Sequence, residues 1–179
     1  VMVKLGSQWR QEENPFRVCE NNVEFFFFKR DRSLHEKPFI VDLSDFDTVR
    51  SYRWCLQRGK YAYNPKVGLL HRFLLEAGKD VFVDHKDRNG LNNCRSNLRL
   101  CNGTENLGNS KIPKTNTTGF KGVYTTTNSK KPRKQPFMSK IQFQNKHIHI
   151  GYYMTAEEAA RAYDKKAREL FGEFARTNF

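Results

Sequence analysis

The residues of this chain best suited to chemistry are Asp84 and His85, which stand side by side after the apolar pair Phe82 and Val83. Hydrolysis of a phosphodiester needs a base for the attacking water and a cation to offset the charge that develops on phosphorus. A neutral imidazole is a suitable base, and carboxylate and amide oxygens are ligands that Mg²⁺ and Mn²⁺ prefer. Together with the more distant amide of Asn106, these residues predict a metal-assisted hydrolytic site if the fold brings them together.

The elements around these residues favour such a meeting. Residues 82–85 are typical of a strand, residues 86–93 of a polar loop, and residues 98–100 of a second strand. Thr104 is a candidate N-cap for a short helix that contains Asn106. Two strands and a helix in close succession could gather Asp84, His85 and Asn106 at one place.

Further elements are expected on the amino-terminal side of this segment. Ser44 is a candidate helix cap, and the Arg58-Gly59-Lys60 sequence is typical of a hairpin turn. We expect strands at residues 23–29 and 38–43, hairpin strands at 53–57 and 61–63, and a short helix at 69–77.

The stretch VDHKDRNGLNNCRSNLRLCNGTENLGN, residues 83–109, resembles the HNH, or ββα-metal, nucleases of the phage and intron homing type, and the preceding LHRFL is similar to the helix that comes before their motif. The resemblance implies that His85 is the general base and that Asp84 and Asn106 hold one Mg²⁺ or Mn²⁺ ion. Asn97 would hold the loop that bears His85 by backbone hydrogen bonds. The implied phosphate contacts are Arg72, Arg95 and Arg99, whereas His71 is expected to be structural.

Positive charge is concentrated in the second part of the chain. The net charge is +13, and residues 111–151 contain nine Lys and Arg but no Asp or Glu. A surface of one sign repels itself, so this segment predicts contact with a polyanion such as nucleic acid. The turn-forming composition of residues 108–119 marks a boundary. We therefore expect a nuclease-like domain at 1–111 with its motif core at 81–110, a linker at 112–117, and a nucleic-acid-binding domain at 118–179.

The second domain is expected to be a sheet backed by one helix. Residues 137–143 and 146–153 alternate as two strands around a turn at Gln144-Asn145. Thr155 and Glu158 form a capping-box pair for a helix that ends near Gly172. Its stripe of alanines with Tyr163 predicts a packed face, whereas Asp164 and Lys165 are expected to be solvated.

The pieces GFKGVY, HIHIGYYMTAEEAARAYDKKA and GEFARTNF resemble APETALA2-type (ethylene-response-factor-like) DNA-binding domains, whose three-stranded sheet enters the major groove. Tyr124 stands where plant members have arginine, and His149 where they have tryptophan. The positions that the resemblance implies for DNA contact are Lys121, Tyr124, Lys140, Gln142, His147 and His149. A Lys- and Pro-rich insertion at residues 130–136 departs from the family, and its charges suit phosphates: Lys130, Lys131, Arg133 and Lys134. The predicted fold class is thus α+β: a ββα-metal domain followed by a three-stranded antiparallel sheet packed on one α-helix.

Composition excludes several other classes. The four cysteines are too scattered for a disulfide scaffold, and no pair has the spacing of a structural zinc site, so we expect free thiols and no structural zinc. The longest apolar run, residues 25–28, is far below the ~20 residues of a membrane helix. We therefore expect no membrane partner and no small-molecule substrate. A reducing intracellular compartment is expected, either phage or bacterial cytoplasm or an organelle such as the mitochondrion.

Three functions are compatible with these patterns. The leading hypothesis is a metal-dependent endonuclease in which the basic domain positions double-stranded DNA for cleavage at Asp84 and His85. A second is a non-catalytic descendant that binds rRNA in a ribonucleoprotein such as an organellar ribosome. A third is a sequence-specific regulator that binds duplex DNA without cutting it. Metal-dependent nicking of DNA separates the first hypothesis from the other two.

Overall fold

The fold is seen in a computed structural model that describes residues 14–29, 33–126 and 134–179. Its contacts divide the chain into two compact units, with the division between Leu100 and Cys101. The predicted phosphate contacts Lys130, Lys131 and Arg133 lie outside the described residues. Small sheets and few helices make up both units, which confirms a mixed α and β composition.

The core of the first unit is built on an aromatic-rich sheet. Its antiparallel strands are β1 (Phe16–Val18), β2 (Asn22–Phe25) and β3 (Phe39–Asp42) in that order. Phe25 lies opposite Phe39 across β2 and β3, and their rings stack with centroids 5.2 Å apart. Trp54 is 1% exposed and packs with them, so the aromatic run that predicted a strand serves as core.

A short helix and a second sheet follow. Helix α1 (Phe46–Arg50) begins after a 3-10 turn at Leu43–Asp45, so the predicted cap at Ser44 is wrong: Ser44 lies inside that turn and Asp45 is the N-cap. The predicted hairpin is confirmed, with Gln57 opposite Tyr61 and positive φ at Arg58 and Gly59. Its strands are β4 (Cys55–Gln57) and β5 (Tyr61–Asn64), which β6 (Gly68–Leu69) extends before helix α2 (Leu70–Leu74).

The segment that carries the predicted chemistry has two strands and then a helix. Strands β7 (Phe82–His85) and β8 (Leu98–Cys101) form a two-stranded sheet, and α3 (Gly103–Gly108) follows. Thr104 is not the cap of α3. Asn102 accepts from the Glu105 amide at 2.9 Å while the Glu105 carboxylate accepts from the Asn102 amide, which is a capping box two residues earlier than predicted.

The second unit contains the three-stranded antiparallel sheet expected from the sequence. The strands β10 (Phe137–Phe143) and β11 (Lys146–Tyr153) match the prediction, and β9 (Val123–Thr125) pairs with the other edge of β10. Helix α4 (Ala156–Phe171) has the predicted Thr155 and Glu158 capping box and packs on this sheet. Gly122 is required here because its φ is +76° and a Cβ would lie 2.0 Å from the Tyr163 ring.

Helix α3 packs within the second unit. A Cβ at Gly108 would lie 2.8 Å from Cγ of Phe171 on α4, so this close approach needs glycine. Residues 109–122, all of them described, contain no helix or strand and include the predicted linker. The division at Leu100 thus falls before that linker because α3 groups with α4 by its contacts.

One surface prediction for α4 is wrong. Asp164 is 2% exposed, and its carboxylate accepts from the amides of Asn178 and Phe179 and from Nδ2 of Asn178. Of the predicted stripe, Ala160, Tyr163 and Ala167 are buried, Ala156 and Leu170 are partly buried, and Lys165 is exposed. Asp164 therefore fastens the residues that follow the helix rather than facing water.

Candidate functional site

The two predicted catalytic residues both end up inside the first unit. Asp84 is 7% and His85 is 6% exposed, although neighbours in a strand point to opposite faces. The loop after β7 returns to the first sheet, because the Asn93 amide donates to the Ile40 carbonyl at 2.7 Å and the Ile40 amide donates to the Leu91 carbonyl at 2.7 Å. This loop buries groups that an isolated two-stranded sheet would expose.

The Asp84 carboxylate is held by an arginine on the neighbouring strand. Arg99 of β8 donates from Nε at 3.0 Å and from Nη2 at 2.8 Å to Oδ2 of Asp84. Both side chains are largely buried, with exposed fractions of 13% for Arg99 and 8% for Asp84. The sequence hypothesis placed Arg99 on a phosphate, whereas here its guanidinium neutralises the proposed metal ligand.

The His85 imidazole is kept neutral by its surroundings. Burial lowers the pKa of His85 below its ordinary value, and the hydrogen bond with Asn93 and the charges of Asp87 and Asp84 only partly oppose this. The ring packs edge-on against His71 with centroids 4.8 Å apart and lies 6.1 Å from the ring of Tyr61. A neutral imidazole at neutral pH is the form that a general base requires.

Asn93 orients that imidazole and was not singled out from the sequence. Its side chain is fully buried, and its Oδ1 lies 3.4 Å from Nε2 of His85. Nδ2 of the Asn93 side chain donates to the Leu91 carbonyl at 3.1 Å, and this bond keeps Oδ1 directed toward His85. The pairing favours the tautomer with hydrogen on Nε2, since the facing atom is an acceptor. No pattern in a polar loop distinguishes such an asparagine from its neighbours.

His71 is a buried neutral residue beside the site. Burial, followed by the charges of His85 and Arg72, lowers the pKa of His71 to about 3. Its Nδ1 is buried and makes no hydrogen bond within the part of the chain that the structure describes. This environment agrees with the structural role expected for His71.

Asn97 organises the loop between β7 and β8. Its Nδ2 donates to the Asp87 carboxylate at 2.9 Å and to the Asn92 carbonyl at 2.8 Å, and its Oδ1 accepts from the Asp87 amide at 3.0 Å. Burial acts to raise the pKa of Asp87, but hydrogen bonds from Asn89, Asn92 and Asn97 outweigh it and lower that pKa. These are the backbone contacts expected of Asn97. Its importance for catalysis stays a prediction, and Asp87 is a loop organiser that sequence reasoning missed.

The second predicted metal ligand lies in the other unit. Asn106 is an exposed residue of α3, beyond the division at Leu100, so its sharing of one cation with Asp84 stays a prediction. Among the residues described, no group of three or more His, Cys, Asp or Glu side chains is arranged to hold a metal ion. The Asp84 carboxylate and the Asn106 amide each carry oxygen of the kind that Mg²⁺ and Mn²⁺ prefer.

The other two predicted arginine contacts also have protein partners. Arg72 donates to the carbonyls of Val81, Ala77 and Gly78, which holds the turn before β7. Arg95 binds the Asp45 carboxylate through Nε and Nη2, the latter at 2.8 Å, and its side chain stays half exposed. Both line one cavity of about 720 Å³ that Asp84 and His85 do not line. Phosphate contact by these arginines stays a prediction.

The outward face of the second unit's sheet carries five of the predicted nucleic-acid contacts: Tyr124, Lys140, Gln142, His147 and His149. Cross-strand register pairs Lys140 with His149 and Gln142 with His147, away from the inward Ile141 and Ile148. Nζ of Lys140 lies 4.4 Å from the ring centroid of Tyr124, and the rings of His149 and Tyr152 are 4.7 Å apart. Lys134 is exposed as well. A cationic and aromatic face of this kind suits phosphates and bases.

Lys121 does not belong to that face. It is 7% exposed, and its Nζ donates to the Gly108 carbonyl, while its backbone pairs with the Asn178 side chain. The residue that the resemblance placed on the DNA-contacting surface is thus a buried lysine that fastens α3. This geometry leaves its charge facing protein rather than a nucleic acid.

Two further structural findings concern the cysteines and the length of the helices. All four cysteines are unbridged, as predicted. Within the described ranges, no helix has the length and apolar character needed to cross a lipid bilayer.

Comparison with known proteins agrees with the nuclease motif. An uncharacterized HNH endonuclease of Acanthamoeba polyphaga mimivirus is 31% identical over 183 residues, covering 98% of this chain and 91% of that protein. Protein 3.8 of Escherichia phage T7 is 35% identical over 98 residues, which cover 55% of this chain and 76% of that protein. No protein-family model and no solved structure matches. Neither relative's name mentions an APETALA2-type domain, but similarity along nearly the whole chain shows that this protein belongs to the HNH endonucleases.

Proposed function

We propose that this protein is a metal-dependent, homing-type DNA endonuclease whose second unit positions duplex DNA for cleavage at Asp84 and His85. The observation that carries the proposal is the buried, neutral His85 imidazole next to the Asp84 carboxylate, in a chain that belongs to the HNH endonucleases. Localisation in the cytoplasm of a phage-infected or bacterial cell, or in an organelle, is part of the same proposal.

His85 would act as the general base. Its lowered pKa leaves a lone pair available at neutral pH, so the imidazole takes a proton from a water molecule whose oxygen attacks the phosphorus. The P–O bond to the leaving oxygen then breaks with its electron pair, and that oxygen takes a proton from a second water molecule. Asn93 would hold the ring and Asn97 would hold the loop during this step. A divalent cation bound by Asp84 and Asn106 would supply positive charge against the charge that develops on the phosphate.

The second unit would bind the duplex through the outward face of its sheet. Lys140, Gln142, His147 and His149 share that face, and the flanking segment has no acidic residue between 111 and 151. Glutamine and histidine can bond base edges, while lysines contact phosphates. This distribution supports an APETALA2-type domain that docks as a sheet, although Lys121 has to be left out of the contact set.

Plasmid nicking tests the nuclease proposal directly. Supercoiled plasmid is incubated with the parent protein, His85→Ala and the matched control His35→Ala, each with Mg²⁺, Mn²⁺ or EDTA. His35 is a suitable control because it lies 50 residues before His85 and its ring contacts Phe27 and the Lys37 amide rather than Asp84 or His85 in the contacts described. General-base catalysis is worth about a hundredfold or more, so His85→Ala should lose at least that much nicking. Equal nicking by His85→Ala and the parent would refute the assignment.

Salt dependence tests the second unit. Binding of a labelled duplex should weaken linearly in log–log form as salt rises, and Lys140→Ala should reduce that slope by about 1. Lys165→Ala, an exposed lysine on α4, should leave the slope unchanged. If Lys140→Ala left the salt slope unchanged while Lys165→Ala reduced it, another face of the unit would bind DNA.

The alternative is a non-catalytic, rRNA-binding descendant. One observation favours it: the Asp84–Arg99 pair neutralises a carboxylate that a nuclease needs, and a purely structural ion pair would look the same. Such a protein would bind nucleic acid and copurify with large RNA, but it would not nick DNA with any divalent cation. The plasmid assay therefore decides between the two functions.

A further inference from the structure

The strongest unexplained feature of the site is the ion pair between Arg99 and Asp84. Two guanidinium nitrogens donate to one oxygen of the carboxylate at 3.0 and 2.8 Å, and both side chains are mostly buried. Charge-assisted bonds of this kind are among the strongest that proteins make. A carboxylate so held is a poor ligand for a cation, because the guanidinium both occupies an oxygen and repels positive charge.

Arg99 and a divalent cation therefore compete for the same carboxylate. Moving the guanidinium away from Asp84 would separate a largely buried positive charge from the carboxylate that neutralises it, which is unfavourable. A phosphodiester removes that penalty, since its oxygens match the guanidinium fork as well as a carboxylate does. The exposed 13% of the Arg99 side chain means that the group is not sealed away from solvent.

We propose that Arg99 is a positioning residue that exchanges Asp84 for a DNA phosphate, so that nucleic acid and divalent cation bind cooperatively. Phosphate binding by Arg99 releases Asp84 to hold the cation, and the cation in turn releases Arg99 to hold the phosphate. The device disfavours a loaded metal site without substrate. The inference rests on the proposed function, because it places the cation on Asp84.

The test measures metal affinity rather than cleavage. Mn²⁺ binding is followed by electron paramagnetic resonance on the full chain in a His85→Ala background, which keeps DNA intact. Four proteins are compared: that parent, Arg99→Gln, Arg99→Lys and Arg17→Gln, which breaks a different ion pair with Glu24. A further variant, Asp84→Asn, should abolish Mn²⁺ binding at the site that contains Asp84. Each is titrated alone and with a mixed-sequence DNA duplex, after subtraction of Mn²⁺ bound by DNA alone.

Arg99→Gln should bind Mn²⁺ on the order of tenfold tighter than the parent without DNA. Even with full water screening, a unit charge about 6 Å from a divalent cation corresponds to that factor. Arg99→Lys keeps the charge and should stay near the parent value, as should Arg17→Gln. DNA should raise the Mn²⁺ affinity of the parent, and Mn²⁺ should raise its DNA affinity by the same factor, whereas in Arg99→Gln the two ligands should bind independently.

Equal Mn²⁺ affinities for Arg99→Gln and the parent in the absence of DNA would overturn the inference, and so would Mn²⁺ binding that survives Asp84→Asn. If Arg99→Gln does not fold, Arg99→Lys and the parent still decide: DNA affinity that ignores Mn²⁺ in both refutes the exchange. Failure of the nuclease proposal is separate. If Mn²⁺ and DNA bind cooperatively but the protein with His85 intact does not nick DNA, the exchange is supported and the nuclease proposal is refuted. If that protein nicks DNA but Mn²⁺ and DNA bind independently, the nuclease proposal is supported and the exchange is refuted.

Discussion

Replacement of Gly90 by alanine should loosen the loop that buries the candidate site. A Cβ at this position would lie 2.5 Å from the carbonyl oxygen of Lys60 and 2.5 Å from Cε1 of Tyr61. Ordinary contacts between such atoms need about 3.5–4 Å, so the loop or the hairpin must move by roughly 1 Å. The Tyr61 ring cannot yield freely, because it packs 5.3 Å from His71 and 6.1 Å from His85.

Overpacking of this kind costs about 1–3 kcal/mol. In a unit of about 100 residues, that corresponds to a fall in Tm of roughly 5 °C or more. The matched control is Gly78→Ala: nothing lies within 4 Å of its Cβ and its φ is not in the left-handed region, so the free energy of unfolding should change by less than about 1 kcal/mol.

Thermal and urea unfolding of the parent and the two variants, followed by circular dichroism, measure the difference. Nicking activity of Gly90→Ala should also fall, because the displaced loop carries Asn93 and Asn97. If Gly90→Ala proved as stable as Gly78→Ala, the close approach of the loop to Tyr61 would not exist in solution, and the burial of His85 derived from it would fail.

Two other predictions concern buried ionisable groups. The folded-state pKa of His71, about 3, lies below its unfolded value, so the contribution of His71 to the free energy of unfolding should be fully present above pH 6.5. That contribution should fall by up to about 1.4 kcal/mol per pH unit as the pH drops toward 3. His71→Phe should reduce this acid-dependent loss in urea titrations, and an unchanged pH profile would contradict the prediction. Asp164→Ala should cost at least about 2 kcal/mol by orphaning the tail amides, against less than about 0.5 for Lys165→Ala; equal unfolding midpoints would contradict that.

Local patterns were sufficient to predict three elements of the second unit, namely β10, β11 and α4. Approximate alternation of polar and apolar residues predicts Phe137–Phe143 and Lys146–Tyr153, and the capping box at Thr155 sets the start of α4. The hairpin at residues 55–64 was also predicted from the sequence, because its turn residues determine the register of the two strands. Where two polar residues competed for one cap, as Asn102 and Thr104 did, the sequence did not decide between them.

Contacts between residues distant along the chain could not be predicted from the sequence. Asp164 has a solvent-exposed pattern on a helical wheel, yet residues 14 and 15 positions later bury it. Arg99 was expected on a phosphate because its charge is visible in the sequence, but its pairing with Asp84 depends on the register of β7 and β8. Lys121 was assigned to a surface position by resemblance, but its Nζ donates to the Gly108 carbonyl instead.

The contrast between these two kinds of residue explains why the candidate site is set by its loop as much as by its reactive groups. Asp84 and His85 can be located from spacing alone, but adjacency in a strand says nothing about the protonation state of the imidazole. That state depends on burial, and burial depends on Asn97, Asn93 and Gly90 closing residues 86–97 over the strand. A change to Asn97 or Gly90 should therefore alter the burial of His85 without contact with its imidazole, whereas a change to Asn93 removes a direct partner of that ring.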